Sequence, residues 1–126
     1  LELSGSYTYL DSTERDSQGN EVQEVRRPKN MFAVNLNFTP LPRANINLNV
    51  SYSGSQRDVI FPPFPQPSAR VTLDSYILVS LSAAYRFSPN LELIGRIENL
   101  LDEVYEDVVG FRTPGVGAYI GIRVGR

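Results

Sequence analysis

The 126-residue sequence contains no cysteine, no histidine and no tryptophan, and only one methionine. Without cysteine or histidine, disulfides, thiol chemistry and the common zinc sites are excluded from within the chain. A nucleophile also lacks its usual basic partner, because no imidazole is available to take its proton. We therefore predict a protein that is not an enzyme and that carries no cofactor.

Neither sign of charge is in excess. The chain has 12 basic and 14 acidic residues, which gives a formal net charge of -2. A protein that binds nucleic acid or an anionic membrane surface electrostatically needs a basic patch, and this balance gives no reason to expect one. No nucleic-acid partner is expected.

Long apolar runs are missing as well. A membrane-spanning helix needs about 20 apolar residues in succession, so a helical membrane protein is excluded. A strand crosses with only about 9–11 residues, of which alternate side chains meet lipid. The mean hydropathy of -0.22 is therefore compatible with a soluble protein or with a membrane barrel. The length suits a single domain.

What the sequence does contain is alternation of apolar and polar residues with a period of two, which is typical of strands that have one apolar face. Six segments show it: 1–11, 31–39, 44–55, 71–87, 91–98 and 116–124. We predict an all-β fold, an antiparallel meander of about six strands that is part of a transmembrane β-barrel.

The second and third segments predict a hairpin about Pro40-Leu41-Pro42-Arg43. Folding the chain there pairs Phe38 with Ile46, Leu36 with Leu48, Val34 with Val50 and Phe32 with Tyr52 on one face, and Asn37 with Asn47 and Asn35 with Asn49 on the other. One face is apolar and the other is lined by amides. This division is expected between lipid and a wet lumen.

The connections between the segments alternate in length. Residues 11–30, 56–70 and 99–115 are long connections, while 40–43 and 88–90 are short. Four prolines in 56–70 predict that this stretch is neither a ladder strand nor a helix. Outer-membrane barrels sort their connections in this way, with short turns at the periplasmic rim and long loops outside.

Several ordered motifs carry a resemblance to a known family. They are Arg26-Arg27-Pro28-Lys29, Tyr52-Ser53-Gly54, Leu73-Asp74-Ser75-Tyr76, Glu98-Asn99-Leu100-Leu101-Asp102 with Tyr105-Glu106, Gly110-Phe111 and Thr113-Pro114-Gly115. Together they resemble the C-terminal barrel strands of TonB-dependent outer-membrane receptors, the siderophore and cobalamin receptor family. The matching motif residues are Asn99, Leu100, Asp102, Tyr105, Gly110, Pro114 and Gly115.

The resemblance implies a location in the bacterial outer membrane and energised uptake of a scarce nutrient, such as a siderophore-iron complex or cobalamin. It implies that residues 1–126 are the C-terminal portion of such a barrel, without the plug domain and the earlier strands. The implied partners are outer-membrane lipid, the remaining strands and plug, a TonB-type energy-coupling protein and a small-molecule nutrient.

Few side chains are candidates for ligand contact. Charged residues on the polar face, namely Arg86, Glu92, Arg96 and Glu98, could line a substrate path, and the aromatic loop residues Phe61, Phe64 and Phe111 could touch a ligand. Arg86 should lie across from Glu92 as a cross-strand ion pair. The acids of 102–107 do not follow the spacing of a calcium loop, so no metal site is predicted.

Two alternatives remain open from the sequence. A small soluble β-barrel could bind an apolar ligand inside, and it would have connections of mixed length at both ends. A passive outer-membrane pore or anchor would share the apolar face but would not need the segment from Asn99 to Gly115.

Overall fold

The computed structural model describes residues 1–125, and within them the chain forms twelve strands. Their bounds are β1 Glu2–Tyr9, β2 Thr13–Arg15, β3 Glu21–Gln23, β4 Asn30–Leu41, β5 Ala44–Ser53, β6 Gln56–Ile60, β7 Ala69–Leu73, β8 Tyr76–Ser88, β9 Leu91–Glu98, β10 Glu106–Val108, β11 Phe111–Arg112 and β12 Gly117–Val124. No helix in this part of the chain is long and apolar enough to cross a membrane.

Six of the strands form one antiparallel sheet in the order β1-β4-β5-β8-β9-β12. Each is the neighbour of the next long strand along the chain, so the predicted six-stranded meander is confirmed. The other strands form three two-stranded hairpins, β2-β3, β6-β7 and β10-β11. One hairpin stands in each of the three long connections. We call that end of the sheet the loop end and the opposite one the turn end.

The sheet has one apolar and one polar face, as the alternation predicts. Across β4 and β5 the pairs Phe32–Tyr52, Val34–Val50, Leu36–Leu48 and Phe38–Ile46 are all observed. The apolar face continues through Val79 and Leu81 of β8 to Leu93 of β9 and Ile122 of β12. Since directly opposed residues of a sheet point to the same side, these side chains share a face across the sheet.

The apolar face is not covered by the chain itself. Among the described residues Leu73, at the loop end, is the one large apolar side chain that is buried, whereas Ile120 is 81% exposed and Ile122 69%. A water-soluble barrel would bury such side chains in a closed core. The arrangement therefore does not match the soluble alternative.

The strands differ from the predicted segments in several places. The segment 71–87 is two strands, β7 and β8, because Asp74 and Ser75 interrupt the pairing. The segment 56–70 was predicted to hold no strand, and this is wrong: β6 pairs with β7 from Gln56–Leu73 to Ile60–Ala69. The prolines do not prevent this ladder because they all lie between the two strands. β4 also runs on to Leu41 through an irregularity after Phe38.

Candidate functional site

The polar face carries a ladder of amide side chains across β4 and β5. The Nδ2 of Asn49 donates to Oδ1 of Asn35 at 2.7 Å, and Asn37 and Asn45 exchange hydrogen bonds of 3.2 and 3.0 Å. Each amide bonded to a neighbour still has free donor or acceptor capacity. The amide ladder can therefore bind water or a polar partner without a charged group.

The polar face also carries two clusters of charged side chains, and these contain the four charged residues that were predicted as ligand contacts. Near the turn end Arg86 lies opposite Glu92, as predicted, with Nη2 at 3.9 Å from Oε1. Glu92 has a closer partner in Arg123 of β12, whose Nη1 is 2.6 Å from Oε2. Arg123 was not predicted from the sequence, although the alternation of apolar and polar residues in β12 places it on the polar face.

Nearer the loop end, Arg96 pairs with Glu98 at 3.1 Å and lies over the ring of Tyr119 at 4.9 Å from its centroid. These groups adjoin a cavity of about 440 Å³ between the polar face and the third long connection. Its lining includes Asn49, Ser51, Ser80, Glu98, Tyr105, Pro114, Gly115 and Tyr119. Leu78, Val116 and the buried Asn99 also line the wall, so hydrogen-bonding groups stand beside apolar side chains, a combination that suits a ligand with apolar surface and a few polar groups.

The aromatic candidates lie at the tips of two hairpins. Phe61 and Phe64 are in the loop between β6 and β7 and are 80% and 97% exposed. Phe111 starts β11 on the other hairpin and is 72% exposed. They do not pack their own loops, and they lie at the loop end with the Arg96–Glu98 group rather than with Arg86 and Glu92 at the turn end.

The motif residues that gave the family resemblance close the third long connection. Asn99, which is buried, donates from Nδ2 to the carbonyl of Glu103 at 2.9 Å and towards that of Pro114 at 3.4 Å. Its Oδ1 accepts the N–H of Glu103 at 2.9 Å. The Oδ1 of Asp102 accepts the N–H of Val116 at 3.0 Å. The two side chains thus join both ends of the connection.

The remaining motif residues fit the same closed connection. The Leu100 N–H donates to the carbonyl of Val79 in β8 at 2.8 Å, and the ring of Tyr105 packs on Tyr76 with centroids 4.1 Å apart. Gly110 has a φ of 81°, and a Cβ on Gly115 would lie 2.5 Å from Oδ1 of Asp102. These positions serve the shape of the connection, and Tyr105, Pro114 and Gly115 also line the cavity beside it.

Asp58 in β6 links the three long connections. Its side chain is 1% exposed. Oδ1 accepts the N–H of Val59 at 2.8 Å and Nε of Arg26, from the first connection, at 3.0 Å. Oδ2 accepts the N–H of Val109, from the third connection, at 2.8 Å. We call Asp58, Arg26, Val59 and Val109 the Asp58 junction.

The environment of Asp58 favours its ionised form. Burial by itself raises the pKa of this carboxyl, but the N–H groups of Val109 and Val59 and the guanidinium of Arg26 stabilise the carboxylate. The net result is a pKa below the ordinary value of 3.8. Sequence reasoning did not find Asp58, because a lone acid in a proline-rich connection carries no signal. Arg26 was noted only within a motif.

No group of three or more acidic, histidine or cysteine side chains placed to hold a metal ion occurs within residues 1–125. The sequence candidates therefore stand in three places: Arg86 and Glu92 near the turn end, Arg96 and Glu98 beside the cavity, and the three phenylalanines at the hairpin tips. Their roles in ligand contact stay predictions.

Comparison with known proteins identifies the family. A family model described as the TonB dependent receptor-like β-barrel matches residues 1–100. The vitamin B12 transporter BtuB of Vibrio cholerae is 29% identical over 107 residues, which cover 85% of this chain and 17% of that protein.

Solved structures show the same fold. The pyoverdine outer membrane receptor FpvA from Pseudomonas aeruginosa PAO1 superposes with a TM-score of 0.79 at 16% identity, over 98% of this chain and 19% of that one. The ferric-catecholate import receptor Fiu from E. coli K12 gives 0.78 at 17% identity, over 97% and 18%. This chain spans less than a fifth of each of these relatives. It belongs to the TonB-dependent receptor-like β-barrels of the bacterial outer membrane.

Proposed function

We propose that the intact protein is an outer-membrane receptor that captures a scarce nutrient at its loop end and imports it with energy from the inner membrane. The observation that carries the proposal is the two-faced six-stranded sheet with all three long connections at one end. The nutrient class follows the relatives, which are a vitamin B12 transporter and receptors for pyoverdine and ferric catecholate. A siderophore-iron complex or cobalamin is the proposed substrate, and no enzymatic step is involved.

The proposal assigns a partner to each surface of the sheet. Outer-membrane lipid covers the apolar face, because side chains such as Ile120 and Ile122 would otherwise stay in water. The polar face borders the lumen and contacts a plug domain through its amides and ion pairs. Residues 1–126 are proposed as the C-terminal portion of the barrel, and other segments of the intact protein supply the remaining strands, the plug and the contact with a TonB-type energy-coupling protein.

An uptake assay tests the function. The intact protein is produced in cells that lack their own cobalamin and ferric-siderophore receptors, and uptake of labelled cyanocobalamin and ferric pyoverdine is followed with and without an inner-membrane uncoupler. We expect saturable uptake of one probe that the uncoupler abolishes. Uptake that does not saturate, ignores the uncoupler and extends to unrelated small solutes would instead identify a passive pore.

A further inference from the structure

Burial of the Asp58 carboxylate needs an explanation beyond its own hairpin. An ionised group out of water is unfavourable unless it is paired and hydrogen-bonded. Its own strand supplies one partner, the N–H of Val59, and the other two come from residues 32 positions before it and 51 positions after it. The carboxylate is thus stable only when all three long connections are assembled around it.

We propose that Asp58 is a positioning residue that holds the three long connections as one preformed rim at the loop end, and that ligand capture depends on this rim. The claim that ligand capture depends on the rim rests on the proposed function. The claim that Asp58 holds the three connections together concerns the structure alone.

Other contacts join the connections in pairs. Arg70 of β7 reaches the first connection, with Nη2 at 2.7 Å from Oε1 of Glu14 and Nη1 donating to the carbonyl of Gln23 at 3.0 Å. Gln56 of β6 donates to the carbonyl of Asp107 in the third connection at 3.0 Å. Among the contacts of residues 1–125, the Asp58 carboxylate is the group bonded to both the first and the third connection.

The Asp58 junction also lies at the base of the aromatic tips. Phe61 follows Asp58 by three residues, and Phe111 follows Val109 by two. The hydrogen bond from the Val109 N–H to the Asp58 carboxylate therefore joins the bases of the two hairpins that carry these side chains. Loops that are ordered before a ligand arrives lose less conformational entropy on binding it, so the apparent affinity is higher.

Hydrogen exchange of the intact receptor in detergent tests the joint assembly. Asp58→Asn keeps the size of the side chain but replaces one acceptor oxygen by a donor and removes the charge that Arg26 pairs with. We expect exchange at 24–28 and at 107–111 to become at least about tenfold faster, since hydrogen bonds to a charged group are lost in both segments. The β2-β3 hairpin should change little, because Arg70 still holds it.

Two further variants show which contact of Asp58 accounts for the faster exchange in each segment. Arg26→Gln removes the guanidinium bond to Asp58 and leaves the Arg26 N–H on the carbonyl of Arg57 at 2.7 Å, so it should loosen 24–28 less than Asp58→Asn does, while 107–111 stays protected. Asp74→Asn makes the same chemical change at an exposed residue of the same connection and should leave both segments at the wild-type rate. Wild-type exchange at 107–111 in Asp58→Asn would overturn the proposal.

The uptake assay tests the consequence for capture, with cyanocobalamin and ferric pyoverdine as probes. For the probe that the wild type imports, Asp58→Asn should raise the half-saturating concentration several-fold, while the maximal rate per receptor at the surface stays unchanged. A merely structural role would lower the amount of receptor without moving the half-saturating concentration, and that result overturns the positioning role. If the wild type imports neither probe, the proposed function fails, whereas the exchange experiment still decides whether Asp58 joins the connections.

Discussion

Asn99 and Asp102 hold the third long connection in backbone conformations that most residues avoid. Their φ angles are 49° and 52°, in the left-handed region where asparagine and aspartate are the most tolerated side chains after glycine. Both side chains also bond across the connection. The two requirements together explain why the motif places these residue types here.

The two requirements can be separated at Asn99. Asn99→Gly keeps the backbone conformation accessible and loses only the side-chain hydrogen bonds, which should loosen the connection by about 1–3 kcal/mol. Asn99→Ala loses the same bonds and adds about 1–2 kcal/mol for a left-handed residue with a Cβ. Hydrogen exchange of 100–105 in the intact receptor measures both. Equal loosening in the two variants would contradict a contribution from the backbone angle.

Gly115 is required by its contact with Asp102. A Cβ there would lie 2.5 Å from Oδ1, so Gly115→Ala must displace the carboxylate that accepts the N–H of Val116. We expect a loss of about 1–3 kcal/mol in unfolding free energy. The loss should largely disappear in an Asp102→Ala background, and a double-mutant cycle by urea unfolding in lipid measures this coupling. Gly121→Ala is the control, since no atom of the described part of the chain lies within 4 Å of a Cβ there.

At the scale of strands, the alternation of apolar and polar residues predicted the six-stranded sheet but not the three short hairpins at its loop end. The register of β4 and β5 followed from Phe32 to Phe38 and their partners, because a slip by one residue would move every apolar side chain to the polar face. The short hairpins have no such face. β6 and β7 are held by the Asp58 and Arg70 contacts with distant segments, which leave no periodic pattern in the sequence.

The two faces of β5 predict opposite effects for neighbouring substitutions. Leu48 lies mid-strand on the apolar face between Leu36 and Leu81, whereas Asn47 lies on the polar face between Asn37 and Ser82. Leu48→Arg should destabilise the inserted barrel by about 2–4 kcal/mol, the cost of a basic residue facing the middle of the bilayer. Asn47→Arg should be tolerated. Urea unfolding in lipid vesicles compares them, and equal stability would argue against the assignment of the faces.

At the scale of the molecule, the sheet and the loop end are stabilised differently. The sheet has continuous ladders along six strands and a wide apolar face, neither of which depends on a titrating group. Within residues 1–125 the loop end has short hairpins, a single large buried apolar side chain and a buried carboxylate that is bonded to three segments. Acid should therefore act on the two parts unequally.

Asp58 determines the direction of that acid effect. Its folded-state pKa lies below the ordinary 3.8, so its contribution to stability is fully present above that value and is lost as the pH falls through the lowered folded pKa. Below pH 3.8 we expect pepsin to cut the long connections progressively faster, while the β-sheet signal in circular dichroism persists. Asp58→Asn should be cut readily already at the upper end of this range and with less dependence on pH, because it has no carboxyl to protonate, whereas Asp74→Asn should follow the wild type. Simultaneous loss of the sheet signal and of the connections would mean that the molecule unfolds as one unit and that Asp58 does not set the stability of the loop end separately.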